Sequence, residues 1–88
     1  MTEMELRETA LRVLRRIAPE ADAARIDSRE SLREQLDLDS MDFLNFLIGL
    51  HEAVGVDIPE SDYARLSSLD EIVQYLEQKS AKAPETAR

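Results

Sequence analysis

Residues 39–55 read DSMDFLNFLIGLHEAVG and have the pattern of one long amphipathic helix. Asp39 suits the N-cap position because its carboxylate can accept a hydrogen bond from a free amide of the first turn. Gly55 suits the left-handed residue that commonly ends a helix. At the angular spacing of a helix, one broad apolar stripe must face a core; it comprises Phe43, Phe46, Leu47, Leu50 and Val54.

This helix also carries more apolar side chains than one buried face requires. Met41, Leu44 and Ile48 form a second strip, roughly a third of a turn or more from the centre of the first. Either the helix lies centrally in a bundle, or the second strip contacts something outside the domain. Periodicity leaves both interpretations open, including one in which Leu44 or Ile48 is partly core.

Two further amphipathic helices are predicted, one on each side of this segment. The first begins at Thr2, with Glu5 at capping-box spacing, and runs to Pro19. The last begins at Ser68, with Glu71 at the same spacing. Their apolar stripes are Leu6, Ala10, Val13, Leu14 and Ile17 on the first helix, and Leu69, Ile72, Val73 and Leu76 on the last.

The connecting segments predict a long loop and a short helix. Residues 19–38 hold only isolated apolar side chains, which would pin a loop, and Pro59 suits the entry to a helical turn near residues 61–64. With 88 residues and two glycines, we expect one all-α domain: a small four-helix bundle with three main helices and one short helix. The domain is expected to span residues 1–79, and residues 80–88 to be a disordered tail.

The acidic charge is concentrated in one part of the chain. The formal net charge is −8, and the surplus lies between Glu34 and Asp62, where no Lys or Arg occurs. Such a surface repels nucleic acid and anionic membranes and attracts basic protein surfaces. A merely solvating acidic face is the alternative, and composition does not choose between the two.

Several classes of function are disfavoured by what the sequence lacks. Without cysteine there is no disulfide, thiolate zinc site or thiol nucleophile. The charged N-terminus does not resemble a secretory signal, and no apolar run approaches the ~20 residues of a membrane span, so we expect a cytoplasmic protein without stable membrane insertion. The single histidine, His51, is expected to be an exposed side chain, and neither an enzyme nor a metal site is predicted.

Three segments carry a resemblance to a known family: LDLDSMDFLNFLIGL at 36–50, GVDIP at 55–59 and SSLDEIVQYL at 67–76. Asp39, Ser40 and Met41 fit an Asp-Ser-Leu/Met attachment motif at the start of a long helix. Ile58 and Pro59 fit the Ile-Pro that closes the following loop. On these residues the chain resembles the acyl carrier protein family.

The resemblance implies a covalent cofactor, 4′-phosphopantetheine. A phosphopantetheinyl transferase using coenzyme A and magnesium would join it to the hydroxyl of Ser40, with Asp39 as motif residue and helix cap. The arm's thiol would hold acyl groups as thioesters and deliver them to fatty-acid, polyketide or specialised lipid enzymes. Such a carrier is a phosphoprotein without catalytic residues, and we expect it to be a monomer.

The resemblance also assigns roles to the long helix. Met41, Leu44 and Ile48 would contact partner enzymes, while Asp42 and Glu52 would steer the domain onto basic docking patches. The core residues Phe43, Phe46, Leu47 and Leu50 would line an acyl pocket. Phe43 places a bulky ring near the expected chain entrance, and our hypothesis is that it limits or redirects the pocket.

One departure from the family keeps the cargo open. Fatty-acid-synthesis carriers usually present an acid where this chain has Asn45, which weakens the case for a housekeeping role. A carrier of aminoacyl or D-alanyl groups would use the same arm and attachment residue. The alternative from another class is an unmodified helical adaptor that uses the strip Met41, Leu44 and Ile48 only to bind protein.

Overall fold

A computed structural model describes the backbone of residues 2–86 and the side chains of residues 2–80. Three long helices dominate it, and one short α-helix and two 3₁₀ helices (η1 and η2) lie between them. In chain order the elements are α1 (Glu3–Ile17), η1 (Ala23–Arg25), α2 (Leu32–Gln35), α3 (Ser40–Val54), η2 (Glu60–Arg65) and α4 (Leu69–Thr86). Residues 2–86 contain no β-strand. The predicted all-α fold is confirmed.

The outer long helices begin with the capping boxes that their sequences predict. At α1, Thr2 Oγ1 accepts a hydrogen bond from the Glu5 amide at 3.2 Å, and Glu5 Oε1 accepts one from the Thr2 amide at 2.8 Å. At α4, Ser68 and Glu71 make the same reciprocal pair at 3.2 and 3.0 Å. Each box satisfies two amides that a helix start leaves without partners.

The core lies where α1 packs against both α3 and α4. The predicted stripes of all three helices are buried there, with only Ile17 and Val54 partly exposed. Helices α1 and α3 approach closely at Gly49, where an added Cβ would lie 2.6 Å from Val13 Cγ1. At the edge of the core, Arg7 of α1 donates a hydrogen bond to Asp70 of α4 at 2.8 Å. Helix α1 is therefore the central packing element.

The connection between α1 and α3 is a pinned loop, as predicted, but it contains two short helices, η1 and α2, that we did not predict. Leu32 and Leu38 are buried in it. Helix α2 begins where Ser31 Oγ accepts a hydrogen bond from the Glu34 amide at 3.2 Å, and the Leu32 amide donates to the Ser67 carbonyl at 2.9 Å. The Ser-x-x-Glu spacing was the available signal, but four residues are too few for an apolar period to show.

The predicted short helix near residues 61–64 is the 3₁₀ helix η2, which follows Pro59. It is held to α4 by Tyr75, whose hydroxyl donates a 2.6 Å hydrogen bond to Asp62 Oδ2. Burial, assisted by the Asp62 carboxylate, raises the pKa of Tyr75 to about 12. The hydrogen bond therefore persists throughout the neutral pH range.

The backbone of α4 is described as far as Thr86. The side chains from residue 81 onward, and residues 87–88 altogether, lie outside the described part of the chain. The expected domain end at residue 79 and the expected disordered tail at 80–88 therefore stay predictions. Within residues 2–86, none of the helices combines the length and apolar character needed to span a bilayer.

Candidate functional site

Ser40 is the first residue of α3 and is exposed to solvent. Asp39 caps the helix as predicted: its Oδ1 accepts a hydrogen bond from the Asp42 amide at 2.8 Å. At the other end, Gly55 ends the helix in the left-handed conformation, with φ 74°. The cap fixes the start of the helix, so the Ser40 hydroxyl lies on a rigid element and stays accessible to another protein.

Arg33 of α2 reaches this hydroxyl, a contact that the sequence does not predict. Its Nη2 donates a hydrogen bond to Ser40 Oγ at 3.3 Å. Its guanidinium carbon also lies 5.8 Å from the centroid of the Phe43 ring, within cation–π range. The contact depends on α2, and no periodicity or motif brings residues 33 and 40 together.

The turn between α2 and α3 sets the separation of these two side chains. Asp37 has a positive φ of 54°, an uncommon conformation that Asp tolerates better than most side chains. The next amide, that of Leu38, donates to the Arg33 carbonyl at 2.9 Å, and the Leu38 side chain is buried. This tight turn places the C-terminal end of α2 beside the first turn of α3.

The second apolar strip of α3 is divided between solvent and core. Met41 and Ile48 are 63% and 46% exposed, whereas Leu44 is half-buried. Of the acids assigned to partner binding, Glu52 is exposed and Asp42 is half-buried. Met41 and Ile48 thus remain available for contact with another protein, and Leu44 is available only in part.

The four residues assigned to an acyl pocket lie in two different environments. All are buried, and the rings of Phe43 and Phe46 lie 6.2 Å apart at a tilt of 45°. Open grooves flank η2: one is lined by Phe43 with Leu38 and Leu66, and the other by Leu47 with Ile48 and Ile58. Phe46 and Leu50 line neither groove and lie within the closed core. An acyl chain could reach them only if the helices moved apart.

His51 contacts the turn that follows α3 rather than the surroundings of Ser40. Its Nδ1 lies 3.0 Å from the Val56 carbonyl, within hydrogen-bond distance, and 3.6 Å from Asp57 Oδ1, beside the turn that follows α3. Over the part of the chain that the structure describes, no three metal-ligating side chains cluster. The observed site is therefore an exposed hydroxyl on a capped helix, next to one arginine and an open groove whose lining mixes polar and apolar side chains.

Comparison with known proteins identifies similar sequences over most of the chain. The family model described as "Phosphopantetheine attachment site" matches residues 5–76. An acyl carrier protein of Campylobacter hominis is 34% identical over 65 residues, which are 74% of this chain and 80% of that protein. One from Rubrobacter xylanophilus is 31% identical over 55 residues, covering 62% and 68% of the two chains. A meromycolate extension acyl carrier protein of Mycobacterium bovis is 29% identical over 63 residues, covering 72% and 55%.

Proposed function

The chain belongs to the acyl carrier protein family, and we propose that Ser40 is the residue to which its covalent 4′-phosphopantetheine is attached. Proteins of this family carry substrates and do not catalyse reactions on them. The position of Ser40 is the observation that supports the proposal: its hydroxyl is exposed on the first residue of α3, within the matched range. The Asp39 cap holds it on an ordered backbone.

The residues around Ser40 suit the chemistry of attachment. In that reaction the Ser40 oxygen forms a bond to the phosphorus of coenzyme A as the pyrophosphate bond breaks. The hydroxyl proton and 3′,5′-ADP leave. An exposed hydroxyl beside an open groove leaves room for the modifying enzyme and then for the arm. When bound, the group supplies the thiol that this cysteine-free chain lacks.

The cargo in this proposal is an acyl group held as a thioester. Tethering raises the effective concentration of the acyl group at each partner enzyme, which makes a small carrier efficient without catalytic residues. The partners we propose are enzymes of fatty-acid, polyketide or specialised lipid synthesis. The names of the relatives support acyl cargo, and Asn45 keeps the specialised pathways in consideration beside fatty-acid synthesis.

The docking surface in this proposal is the outward side of α3. Met41 and Ile48 supply exposed apolar area, and Asp42 and Glu52 lie in the acidic segment of the chain. Opposite charges accelerate encounter with a basic patch, and the gain decreases as salt screens them. We propose that the protein works in the cytoplasm. We also propose that it is a monomer, because this surface serves transient partners rather than a second copy.

Intact-mass measurement after coexpression with a broad-specificity phosphopantetheinyl transferase tests the attachment site. Wild type is expected to gain one phosphopantetheine, and Ser40→Ala none. Ser61→Ala removes another exposed serine of the acidic segment and is the matched control, so it should gain the group as wild type does. A gain in Ser40→Ala would place the attachment elsewhere, and no gain in wild type would favour the unmodified adaptor.

The nature of the cargo needs a separate assay on the modified protein. Acyl transferases or acyl-activating enzymes should load the thiol with an acyl group, visible as a further mass increase that hydroxylamine removes. Loading only by an amino-acid-adenylating enzyme would instead identify an aminoacyl or D-alanyl carrier. Both kinds of carrier use an arm attached to Ser40, and they differ in the enzyme that loads it.

A further inference from the structure

Arg33 occupies an unusual electrostatic position. The next 31 residues hold eight acids and no Lys or Arg, so Arg33 marks the edge of the acidic segment. Among the described side chains, the ion pairs do not include it. Its guanidinium instead donates to Ser40 Oγ and lies over the Phe43 ring. A cation is therefore directed at the one hydroxyl that the proposed function modifies.

We propose that Arg33 binds the phosphodiester formed at Ser40 and holds the start of the arm over Phe43. The inference rests on the proposed attachment at Ser40. After attachment, Oγ becomes an ester oxygen and a poorer acceptor, while two phosphoryl oxygens that share one negative charge appear two bonds beyond it. A guanidinium presents five donors in a planar fork, so it can move from Oγ to these oxygens with a small change of rotamer.

The acids around Ser40 need a nearby cation to offset their charge once a phosphodiester is added. Asp39 and Asp42 lie within two residues of Ser40, and a phosphodiester adds another negative charge beside them. Without a counter-charge, repulsion among these negative groups would make the modified folded protein less stable than the unmodified one. Hydrogen bonds from a guanidinium to phosphate are charge-assisted and stronger than its present bond to a neutral hydroxyl. Attachment should therefore tighten the contact of Arg33 with residue 40.

The geometry also gives the arm a direction. The guanidinium lies over Phe43, and Phe43 lines the groove that Leu38 and Leu66 share. A phosphodiester bound there starts the arm at the mouth of this groove. Arg33 is thus a binding residue for the cofactor, and it differs from the cap residue Asp39, which holds only the backbone.

The experiment compares unmodified and modified forms of the full chain in low-salt buffer. In ¹⁵N-labelled wild type, attachment is expected to shift the Arg33 side-chain Nε–Hε resonance, while the same resonance of Arg29 stays in place. Arg29 is the matched control because it is exposed and contacts Asp27 on the preceding loop. The intact mass of each sample shows whether Ser40 is modified.

A set of variants measures how attachment and Arg33 are coupled. The change in melting temperature from the unmodified to the modified form is measured for wild type, Arg33→Gln, Arg33→Lys and Arg29→Gln. Glutamine keeps part of the stem over Phe43 and removes the charge. We expect the change in melting temperature on attachment to be several degrees less favourable in Arg33→Gln than in wild type. Arg33→Lys should give an intermediate change, and Arg29→Gln should give the same change as wild type.

The outcomes separate the two proposals. A mass gain without an Arg33 resonance shift, or with the same temperature change in Arg33→Gln and wild type, would overturn the role of Arg33 and leave the carrier function intact. No mass gain in wild type would overturn the attachment at Ser40, and with it this inference. The resonance measurement uses only wild type, so it stands even if a variant folds poorly.

Discussion

Helices α1 and α3 have the same length and similar starts but differ on their outward sides. Each has fifteen residues and a side-chain N-cap, and the two pack against each other. Apart from Met4 near its start, the outward side of α1 carries Glu and Arg, which water solvates without a partner. The outward side of α3 combines Met41 and Ile48 with acids and has no Lys or Arg. Stability needs one buried face on each helix, and the extra apolar surface of α3 therefore indicates a second task.

The largest expected effect concerns how firmly η2 is held beside that outward side. Because burial and the Asp62 carboxylate raise the pKa of Tyr75 to about 12, the neutral tyrosine stabilises the fold. Its contribution is complete below pH 10, the usual pKa of tyrosine, and is lost as pH rises towards 12. We expect about 2 kcal/mol of unfolding free energy to disappear across that range.

Urea unfolding at pH 8 to 12 checks this, with Tyr75→Phe as the comparison. The variant lacks the titrating group, so its unfolding free energy should decline less steeply with pH than that of wild type. Parallel declines would mean that Tyr75 titrates normally. In that case apolar contacts, rather than the Tyr75–Asp62 hydrogen bond, would hold η2 to α4.

The next effect tests the shared interface of the two helices. In Gly49→Ala, a new methyl group would collide with Val13 Cγ1, because the added Cβ would lie 2.6 Å from it. Overpacking of this kind costs about 1–3 kcal/mol, against about 1 kcal/mol gained in helix propensity. We expect a net loss of about 1 kcal/mol in urea unfolding.

The double variant Gly49→Ala with Val13→Ala separates the collision from other effects. Its loss of unfolding free energy should be smaller than the summed losses of the two single variants, since the methyl group added at residue 49 fills space that Val13→Ala opens. Ala53→Gly, on the exposed side of the same helix, measures helix propensity alone. A Gly49→Ala protein more stable than wild type would show that α1 and α3 do not approach this closely in solution.

The smallest effect on stability is expected at the two exposed methionines, where the contrast in function is greatest. Met4 on α1 is 71% exposed and Met41 on α3 is 63% exposed, so replacing either with Ala should change the unfolding free energy by less than about 0.5 kcal/mol. Only Met41→Ala should lower kcat/KM for modification by the transferase, by several-fold, because Met41 belongs to the proposed docking surface.

Equal losses for Met4→Ala and Met41→Ala would contradict the distinction between the helices. No loss for either would remove Met41 from the docking surface and leave Ile48 and the acids to account for recognition. Unfolding curves of both variants accompany the kinetics, so that a change in folding is not mistaken for a change in binding.

Local patterns were sufficient for most of the secondary structure. Thr2 with Glu5, Asp39 alone and Ser68 with Glu71 marked three helix starts correctly, because capping depends on residues within one turn of each other. Apolar spacing likewise identified the buried stripes. Helix α2 escaped because its four residues show no period, although Ser31 and Glu34 had the spacing of a cap.

The candidate site was predictable only in part, because some of its contacts join residues that are not within one helical turn of each other. The position of Ser40 at a capped helix start follows from residues 39–42, whereas its contact with Arg33 requires the turn at Asp37 and the burial of Leu38. The predicted acyl pocket rests on one apolar stripe of α3. The structure divides that stripe, since Phe43 lines a groove and Phe46 lies in the closed core.

By itself, the sequence determined the three long helices, their N-terminal caps, the acidic segment and the place of Ser40 at a helix start, because each depends on neighbouring residues. The tertiary structure alone decided that Leu44 is half-buried while Met41 is exposed, that Tyr75 holds η2, and that Arg33 meets Ser40. Helical periodicity specifies the direction of a side chain around its own axis. Which neighbour covers that side depends on how the helices and loops pack, and packing joins residues that are distant in the chain.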